Sequence, residues 1–216
     1  MRVLQVVGPK GSGKTSFCRR AVQGLRKRGY RVGYVKSVGE PRLDLRSRDT
    51  GRVPADVRAG VAGSETVLFL PRLEVDAVLG FLSLLGLDYA IVEGFRSREL
   101  GVRVGFDGGR EGATVPAEEL EGAPEDAVIR YAVKYTAEAD CGRCGYDSCR
   151  AFRRAVARGE ASPDDCRAPE LATVLIDDRP MPLNPFVERV VRNVVVGLVS
   201  SLKGGEGERA LVAVRL

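Results

Sequence analysis

The sequence predicts an α/β fold built on a doubly wound, mostly parallel sheet. Short apolar, β-branched runs alternate with longer stretches whose apolar residues recur at helical spacing. Such alternation places helices on both faces of the sheet, because parallel strands need crossover connections. The length of 216 residues is enough for one substantial core plus a smaller appended unit.

The first half of the chain supplies most of the predicted sheet. Strands are predicted at four apolar runs: Val3–Val7, Arg31–Val35, Thr66–Leu70 and Tyr89–Val92. Helices are predicted over Lys14–Arg28, where Gly29 provides a C-terminal cap, and over Glu74–Leu85. The polar, arginine-rich segment 37–58 is too long for an idle connection, and this favours a functional loop.

Weaker signals follow Phe95. Val102–Phe106 and Val128–Val133 are predicted as further strands, and a cysteine-rich stretch follows them. The last part of the chain is predicted as one β-α-β unit. Its parts are strand Ala172–Ile176, a helix that Asn184 caps and Pro185 begins, and strand Ala210–Leu216.

The composition is that of an ordinary globular protein. Apolar residues make up 44% of the chain and charged residues 29%, and no run approaches the ~18 apolar residues of a membrane span. The apolar stretch Val3–Val7 runs straight into a glycine-rich loop instead of a cleavage site, which argues against a signal peptide. We therefore expect a cytoplasmic protein without a membrane partner.

The net charge of +5 is unevenly distributed. Residues 1–48 carry thirteen basic side chains and two acids, a net of +11, so the remaining 168 residues sum to −6. A basic first quarter suits a polyanionic ligand, and phosphate binding explains it more locally than nucleic acid, which we do not expect as a partner. The absence of histidine excludes histidine-based acid–base catalysis and histidine metal ligands.

A P-loop follows the first predicted strand. Residues 8–15, Gly-Pro-Lys-Gly-Ser-Gly-Lys-Thr, fit G-x-x-x-x-G-K-[ST] in full, between a strand and a helix. Its glycines let main-chain amides surround phosphate oxygens, and the helix N-terminus adds partial positive charge. We expect a purine nucleoside triphosphate to bind here, at Gly8, Pro9, Lys10, Gly11, Ser12, Gly13, Lys14, Thr15 and Ser16.

Four side chains are expected to act on the phosphates and Mg²⁺. Lys14 should reach the β- and γ-phosphates, and the Thr15 hydroxyl should bind Mg²⁺. An acid at the end of a later apolar strand commonly completes such a site, and Glu93 in AIVEG is the best candidate. Asp49 in the polar loop is a second candidate for positioning the metal or water, and Asp44 is a weaker one.

Four of the five cysteines lie within 26 residues and predict a soft-metal site. They are Cys141, Cys144, Cys149 and, after sixteen further residues, Cys166. Zinc and a [4Fe–4S] cluster both accept four cysteines. Three cysteines in one loop with a remote fourth mildly favour the cluster, and zinc stays the alternative.

Two residues near these cysteines complete this interpretation. Asp147 is expected to cap a helix that reaches Arg158, whose positive N-terminal end would stabilise an anionic cluster. Cys18 falls on the apolar face of the first predicted helix, so we interpret it as a core residue.

The motifs of the first half together resemble the MobB family, the molybdopterin-guanine dinucleotide biosynthesis protein B. The resemblance covers roughly residues 1–106 and rests on the runs GPKGSGKT, VGYVKS, RSRDTGRVPADVRAG and DYAIVEGF. Arg48-Asp49-Thr50 stands where the family shows Lys-Asp-Ser/Thr, and Glu93-Gly94-Phe95 matches its Glu-Gly-Phe. The expected fold is therefore that of the P-loop NTPases.

A second resemblance covers about residues 141–166. The run CGRCGYDSC and the later Cys166 are similar to a four-cysteine module of anaerobic electron-transfer and acetyl-CoA-pathway proteins, which holds a [4Fe–4S] cluster. We therefore expect three parts: a P-loop nucleotide-binding domain at 1–136, an iron–sulfur module at 137–168 and the β-α-β unit at 169–216.

The first resemblance implies a GTP-binding accessory protein in molybdenum or tungsten cofactor maturation. It would assist the guanylyltransferase that joins GMP to molybdopterin and would hydrolyse GTP weakly, as a homodimer. Two alternatives stay open, a metallocluster-maturation ATPase and a nucleotide- and redox-sensing adaptor with little turnover. The choice of GTP over ATP rests on the resemblance, because no base-reading motif stands out in the sequence.

Overall fold

A computed structural model provides the structure of this protein. It describes residues 1–38, 58–61, 63, 66–69, 73–108, 112–168, 172, 174–177, 179–203, 205, 207 and 212.

The central sheet is mostly parallel and has six strands. Its members are β1 (Arg2–Val7), β2 (Val32–Lys36), β5 (Tyr89–Glu93), β6 (Val102–Gly105), β7 (Thr114–Pro116) and β8 (Val133–Lys134). The order β2-β5-β1-β6-β7 places β1 at the centre, and these five strands run parallel. The short β8 pairs antiparallel with the beginning of β1.

Two separate hairpins lie outside that sheet. β3 (Arg58–Val61) pairs antiparallel with β4 (Thr66–Phe69), and β9 (Leu175–Ile176) pairs antiparallel with β10 (Arg179–Pro180). The prediction that Thr66–Leu70 joins the parallel sheet is therefore wrong. The run is apolar and β-branched as a sheet strand should be, but its partner is the local segment before it.

Helices pack on both faces of the sheet. They are α1 (Lys14–Lys27), α3 (Pro124–Tyr131) and α4 (Cys149–Ala157) on one face and α2 (Val75–Leu84) on the other. A further helix, α5 (Pro185–Ser200), follows the β9–β10 hairpin. In β1, Leu4 and Val6 pack against α1, α3 and α4, while Val3 packs against α2 on the opposite face. This alternation is the two-residue period of a strand buried on both sides. The predicted doubly wound α/β fold is confirmed.

The predicted strand Val128–Val133 is wrong for most of its length. Residues 124–131 form α3, which begins at Pro124 with Glu125 and Asp126 in its first turn. Proline at the first position and acids near a helix N-terminus favour a helix. Ala127, Val128 and Tyr131 are the buried side of that helix, so the apolar run belongs to a helical face and only Val133 enters the sheet.

The helix predicted near the end of the chain is confirmed as α5. Asn184 caps α5 by accepting hydrogen bonds from the amides of Phe186 and Val187, both at 3.0 Å, and Pro185 is the first helical residue. In the predicted strand Ala172–Ile176, Leu175 and Ile176 pair within the β9–β10 hairpin, and the carbonyl of Val174 accepts from the amide of Met181 at 2.9 Å. The predicted strand Ala210–Leu216 lies outside the described residues except for Val212. Among the helices that the structure describes, none is long and apolar enough to cross a membrane.

Candidate functional site

The loop between β1 and α1 has the backbone of a phosphate-binding turn. Gly8 has a φ of +149° and Gly13 a φ of +95°, values that side chains with a Cβ rarely adopt. A Cβ on Gly8 would lie 2.6 Å from Cβ of Phe106, so the contact with the end of β6 also requires glycine. Gly13 caps α1 without a side-chain hydrogen bond, which leaves the first amides of the helix available to an anion.

Lys14 is folded over this loop. Its Nζ donates to the carbonyl of Pro9 and lies 3.5 Å from Oγ of Ser12. A lysine that binds main-chain oxygen in this position can exchange that acceptor for a phosphate oxygen, which carries more negative charge. The structure thus brings Lys14 to the site where the P-loop pattern predicts it.

Glu93 and Thr15 meet directly beside the loop. Thr15 donates its hydroxyl to Oε1 of Glu93 at 2.8 Å, and Tyr34 donates its hydroxyl to Oε2 at 2.5 Å. Nζ of Lys36 lies 3.3 Å from Oε1 of Glu93 and 3.2 Å from the Thr15 hydroxyl. The residues predicted to share Mg²⁺, Thr15 and Glu93, therefore occupy one cluster.

The parallel sheet explains why these side chains converge. In the register of the sheet, Glu93 pairs with Val6 of β1 on one side and with Lys36 of β2 on the other. The carboxyl ends of these three strands meet at one edge, where α/β folds bind their ligands. Glu93 is 5% exposed although it is charged, so its carboxylate must find its partners within this edge.

Glu93 is held in its ionised form. Burial raises the pKa of its carboxyl, but hydrogen bonds from Tyr34, Thr15 and Lys36, with the charge of Lys36, outweigh burial and leave the pKa below its usual value. The same contact acts in the opposite sense on Tyr34, whose pKa is raised by burial and by its hydrogen bond to Glu93.

Tyr34 and Lys36 are the site residues that sequence reasoning missed. They stand two positions apart near the end of a predicted strand, so they share one face of β2. The signal that could have found them is their place at the strand end, level with Glu93. Asp49 and Asp44, the other predicted acids, lie outside the described residues.

The four clustered cysteines line one small cavity of about 20 Å³. Cys141, Cys144 and Cys149 come from the loop before α4 and its first residue, and Cys166 follows the 3-10 turn Pro163–Asp165. The aromatic rings of Tyr146 and Phe152 contact each other beside it, with centroids 5.6 Å apart, and Phe152 belongs to the main core. The fold therefore anchors the remote fourth cysteine opposite the other three.

The start of α4 differs from its prediction. Ser148, not Asp147, caps the helix, and its hydroxyl accepts from the amide of Ala151 at 3.1 Å. The carboxylate that accepts from the amide of Cys149 belongs to Asp140, at 2.6 Å. The prediction of Asp147 as the cap is wrong by one position, because the helix begins at Cys149 and the N-cap residue is the one immediately before it.

The thiols differ in their surroundings. Burial raises the pKa of both Cys149 and Cys166. For Cys149 the hydroxyl of Thr136, 3.3 Å from its Sγ, acts in the opposite direction and lowers the pKa. Cys18 is 1% exposed in the core beneath α1, and burial, reinforced by the charge of Glu93, raises its pKa to about 12. The prediction that Cys18 is a core residue is confirmed.

The chemistry of the donor set fits a soft-metal group. All five cysteines lie within the described residues, and four of them surround one cavity. Four thiolates suit a single zinc ion or an iron–sulfur cluster, so the donor set by itself accommodates either group.

Two family models match this chain in separate segments. Residues 3–102 match the model described as "Molybdopterin guanine dinucleotide synthesis protein B". Residues 138–168, which contain the four clustered cysteines, match the model described as "Putative Fe-S cluster".

A relative from Methanocaldococcus jannaschii is similar over nearly the whole chain. It is named "Putative molybdopterin-guanine dinucleotide biosynthesis adapter protein" and is 28% identical over 227 residues, which cover 98% of this chain and 96% of the relative.

Solved MobB structures are also similar. A MobB protein homologue from Bacillus stearothermophilus is 28% identical, with 54% of this chain and 66% of that chain covered and a TM-score of 0.39. MobB from Bacillus subtilis is 25% identical, with 49% and 64% covered and a TM-score of 0.41. This chain thus spans slightly less than two thirds of either solved chain.

Proposed function

We propose that the protein is a MobB-like, GTP-binding adapter in the formation of molybdopterin guanine dinucleotide. Residues 3–102 match the MobB family model and residues 138–168 match an iron–sulfur family model, and both matches support this proposal. The observation that carries the nucleotide site is the contact of Thr15 with Glu93 at 2.8 Å beside the P-loop. A P-loop threonine and a strand-end acid in contact are the pair that shares a magnesium ion in nucleotide-binding proteins of this fold.

Each residue of the nucleotide site has a role that its position supports. The glycines and the first amides of α1 surround the phosphates, and Lys14 moves from the Pro9 carbonyl to a phosphate oxygen. Thr15 and Glu93 would hold Mg²⁺, which would neutralise phosphate charge. Lys36, already within 3.3 Å of both, adds positive charge on the same side.

We propose a role for Asp49 in this site from the family pattern. The family places an Asp-Ser/Thr pair in the loop that follows its second strand, and Asp49-Thr50 matches it. Its role would be to orient the metal or an attacking water during slow hydrolysis of GTP.

The cysteine module is proposed to hold a [4Fe–4S] cluster, and zinc is the alternative. Cys141, Cys144, Cys149 and Cys166 would supply the four thiolates, and the N-terminus of α4 at Cys149 would stabilise a negatively charged cluster. We propose boundaries of 1–136, 137–168 and 169–216 for the nucleotide-binding domain, this module and the C-terminal unit.

The proposed partners follow from the adapter role. The protein would act in the cytoplasm as a homodimer and would bring GTP to the guanylyltransferase that joins GMP to molybdopterin. A small basic P-loop protein with a net of +11 over residues 1–48 suits both a triphosphate and a phosphate-bearing pterin.

One set of measurements on anaerobically purified protein tests the proposal. We expect GTP to displace a fluorescent guanine nucleotide at least tenfold more effectively than ATP, broad absorbance near 400 nm with about four irons per chain, and stimulation of guanylylation by the partner transferase. Preferential binding of ATP would favour a metallocluster-maturation ATPase. A colourless protein with stoichiometric zinc would remove the cluster.

A further inference from the structure

One buried glutamine holds the loop that follows Glu93. Gln5, in the centre of β1, is fully buried. Its Nε2 donates to three main-chain carbonyls, those of Gly94, Phe95 and Arg98, at 2.8, 3.0 and 3.0 Å. Its Oε1 accepts from the amide of Leu100 at 3.1 Å. A single side chain therefore anchors both ends of the segment 94–100 to the centre of the sheet.

The far end of this segment is paired with the cysteine module. Oε1 of Glu99 lies 3.4 Å from Nε of Arg153, and both side chains are buried, at 10% and 7% exposure. Arg153 lies one helical turn after Cys149 on α4, so the two side chains share a face of that helix. Nε of Arg150, on the same helix, lies 3.9 Å from the same oxygen of Glu99, so Glu99 meets two cations of α4.

Arg153 also holds the loop that carries the first cysteines. Its Nη1 donates to Oε1 of Glu138 at 2.7 Å. Ala137, Glu138 and Asp140 have φ values of +47°, +59° and +42°, which residues with side chains adopt only when their surroundings impose them. Asp140 in turn accepts from the amide of Cys149. The position of Cys149 thus depends on a loop and a helix that Arg153 ties together.

We propose that Gln5, Glu99 and Arg153 are positioning residues that link the cysteine module to the nucleotide site, so that loading of the cluster strengthens binding of GTP. This proposal rests on the proposed function. When the four thiolates bind the cluster, Cys149 and α4 are fixed, Arg153 is held against Glu99, and the segment that begins at Glu93 is ordered in advance of the nucleotide.

The link works in both directions by thermodynamic necessity. If cluster loading raises the affinity for GTP by a given factor, bound GTP raises retention of the cluster by the same factor. Couplings between sites are commonly about 5- to 150-fold. An adapter with this property would present GTP chiefly when its iron–sulfur module is complete.

The first test compares cluster-loaded protein with the same protein after anaerobic removal of iron by chelation. We expect the Kd for GTP to be at least about fivefold lower in the loaded form. We also expect slower amide hydrogen exchange over residues 94–100 in the loaded form without any nucleotide, because Arg153 then holds Glu99. Equal Kd values and equal exchange in both forms would overturn the link.

Variants locate the link on these residues. In Glu99→Gln/Arg153→Gln, which replaces the ion pair by two amides, the Kd values of loaded and stripped protein should converge. Arg153→Lys keeps the buried cation but cannot reach Glu99 and Glu138 together, so it should reduce the coupling and still fold. Arg158→Gln, at the residue that caps the C-terminus of α4, is the matched control, since the partner of Arg158, Glu160, is exposed. It should keep the wild-type ratio.

The outcomes separate this proposal from the function on which it rests. If GTP binds neither form, the GTP-binding function is wrong, and the exchange rates over residues 94–100 still decide whether the two regions are linked. If the coupling is present but persists in both Arg153 variants, the route through Glu99 and Arg153 is wrong.

Discussion

Glu93 organises the nucleotide site at the scale of single residues. It is a buried carboxylate with three neighbours that donate to it, one from α1 and two from β2. Its hydrogen bonds satisfy the charge before any ligand arrives, so the acid is preorganised instead of being exposed to solvent. A metal ion would exchange with the Thr15 and Lys36 contacts, and Tyr34 would keep the second carboxylate oxygen in place.

Replacing Lys14 tests the P-loop. We expect Lys14→Ala to weaken GTP binding by about 10- to 100-fold, because hydrogen bonds to charged groups contribute about 1.5–3 kcal/mol. The measurement is calorimetric titration with GTP and Mg²⁺. Lys27→Ala is the control, since Lys27 is exposed at the far end of α1, roughly 20 Å away along the helix. Wild-type affinity in Lys14→Ala would show that the loop binds no triphosphate.

The lowered pKa of Glu93 predicts a pH dependence of stability. A carboxyl whose pKa is depressed in the folded state stabilises the protein above its unfolded pKa, and this stabilisation is lost as pH falls through the folded value. We therefore expect Glu93→Gln to be less stable than wild type at pH 7 and the difference to shrink below about pH 4.

Urea unfolding between pH 3 and 7 measures this difference. Glu121→Gln, which removes an exposed carboxylate in a loop, is the control for the loss of a carboxylate as such. A stability difference for Glu93→Gln that is constant over the whole range would mean that ionisation of Glu93 does not stabilise the fold.

At the scale of elements, short polar side chains define where two helices begin. Ser148 starts α4 and thereby sets the direction of Cys149, while Asn184 starts α5 with two accepted hydrogen bonds. Each cap satisfies amides that have no partner within the helix. The cap at Ser148 and the carboxylate of Asp140 together fix the first turn of α4 beside the cysteine cavity.

Removing the cap of α5 should destabilise that helix. We expect Asn184→Ala to lower the free energy of unfolding by about 1 kcal/mol, because two amides lose their acceptor. Chemical denaturation followed by circular dichroism measures the change. The matched control is Asn193→Ala within the same helix, which should be neutral or slightly stabilising because alanine favours helix interiors. Equal effects at both positions would contradict a capping role.

At the scale of the whole molecule, the cysteine site depends on segments far apart in the chain. Cys166 reaches the cavity through the turn Pro163–Asp165, which packs beside β8 and therefore beside the start of β1. Lys134 of β8 adds a hydrogen bond to the carbonyl of Ala168 at 3.1 Å. The central sheet thus holds the fourth cysteine opposite the loop that carries the others.

Substituting this remote cysteine tests whether it is a ligand. We expect Cys166→Ser to lower the iron content and the absorbance near 400 nm of anaerobically purified protein by at least half, and to lower the thermal midpoint, since a group bound only by the folded state stabilises it. Cys18→Ala should retain full iron, because Cys18 lies in the core away from the cavity. An unchanged iron content in Cys166→Ser would show that Cys166 is not the fourth ligand of the cluster.

Several elements could be predicted because their signals are local. The P-loop, α1 and the cap of α5 each depend on residues within a few positions of one another, so periodicity and capping patterns identify them. The errors arose where partners are distant or ambiguous. Residues 128–133 are apolar enough for a strand, but burial against α1 favours a helix, and nothing local shows that β4 pairs with β3.

The phosphate-binding loop, the alternation that makes an α/β sheet and the set of four cysteines can all be identified from residue type and spacing. Three contacts cannot: Tyr34 and Lys36 flank Glu93, Cys166 shares a cavity with the other three cysteines, and Arg153 joins Glu99 to the cysteine module. These contacts join residues distant in the chain, and strand order and helix packing, which no local pattern specifies, bring them together.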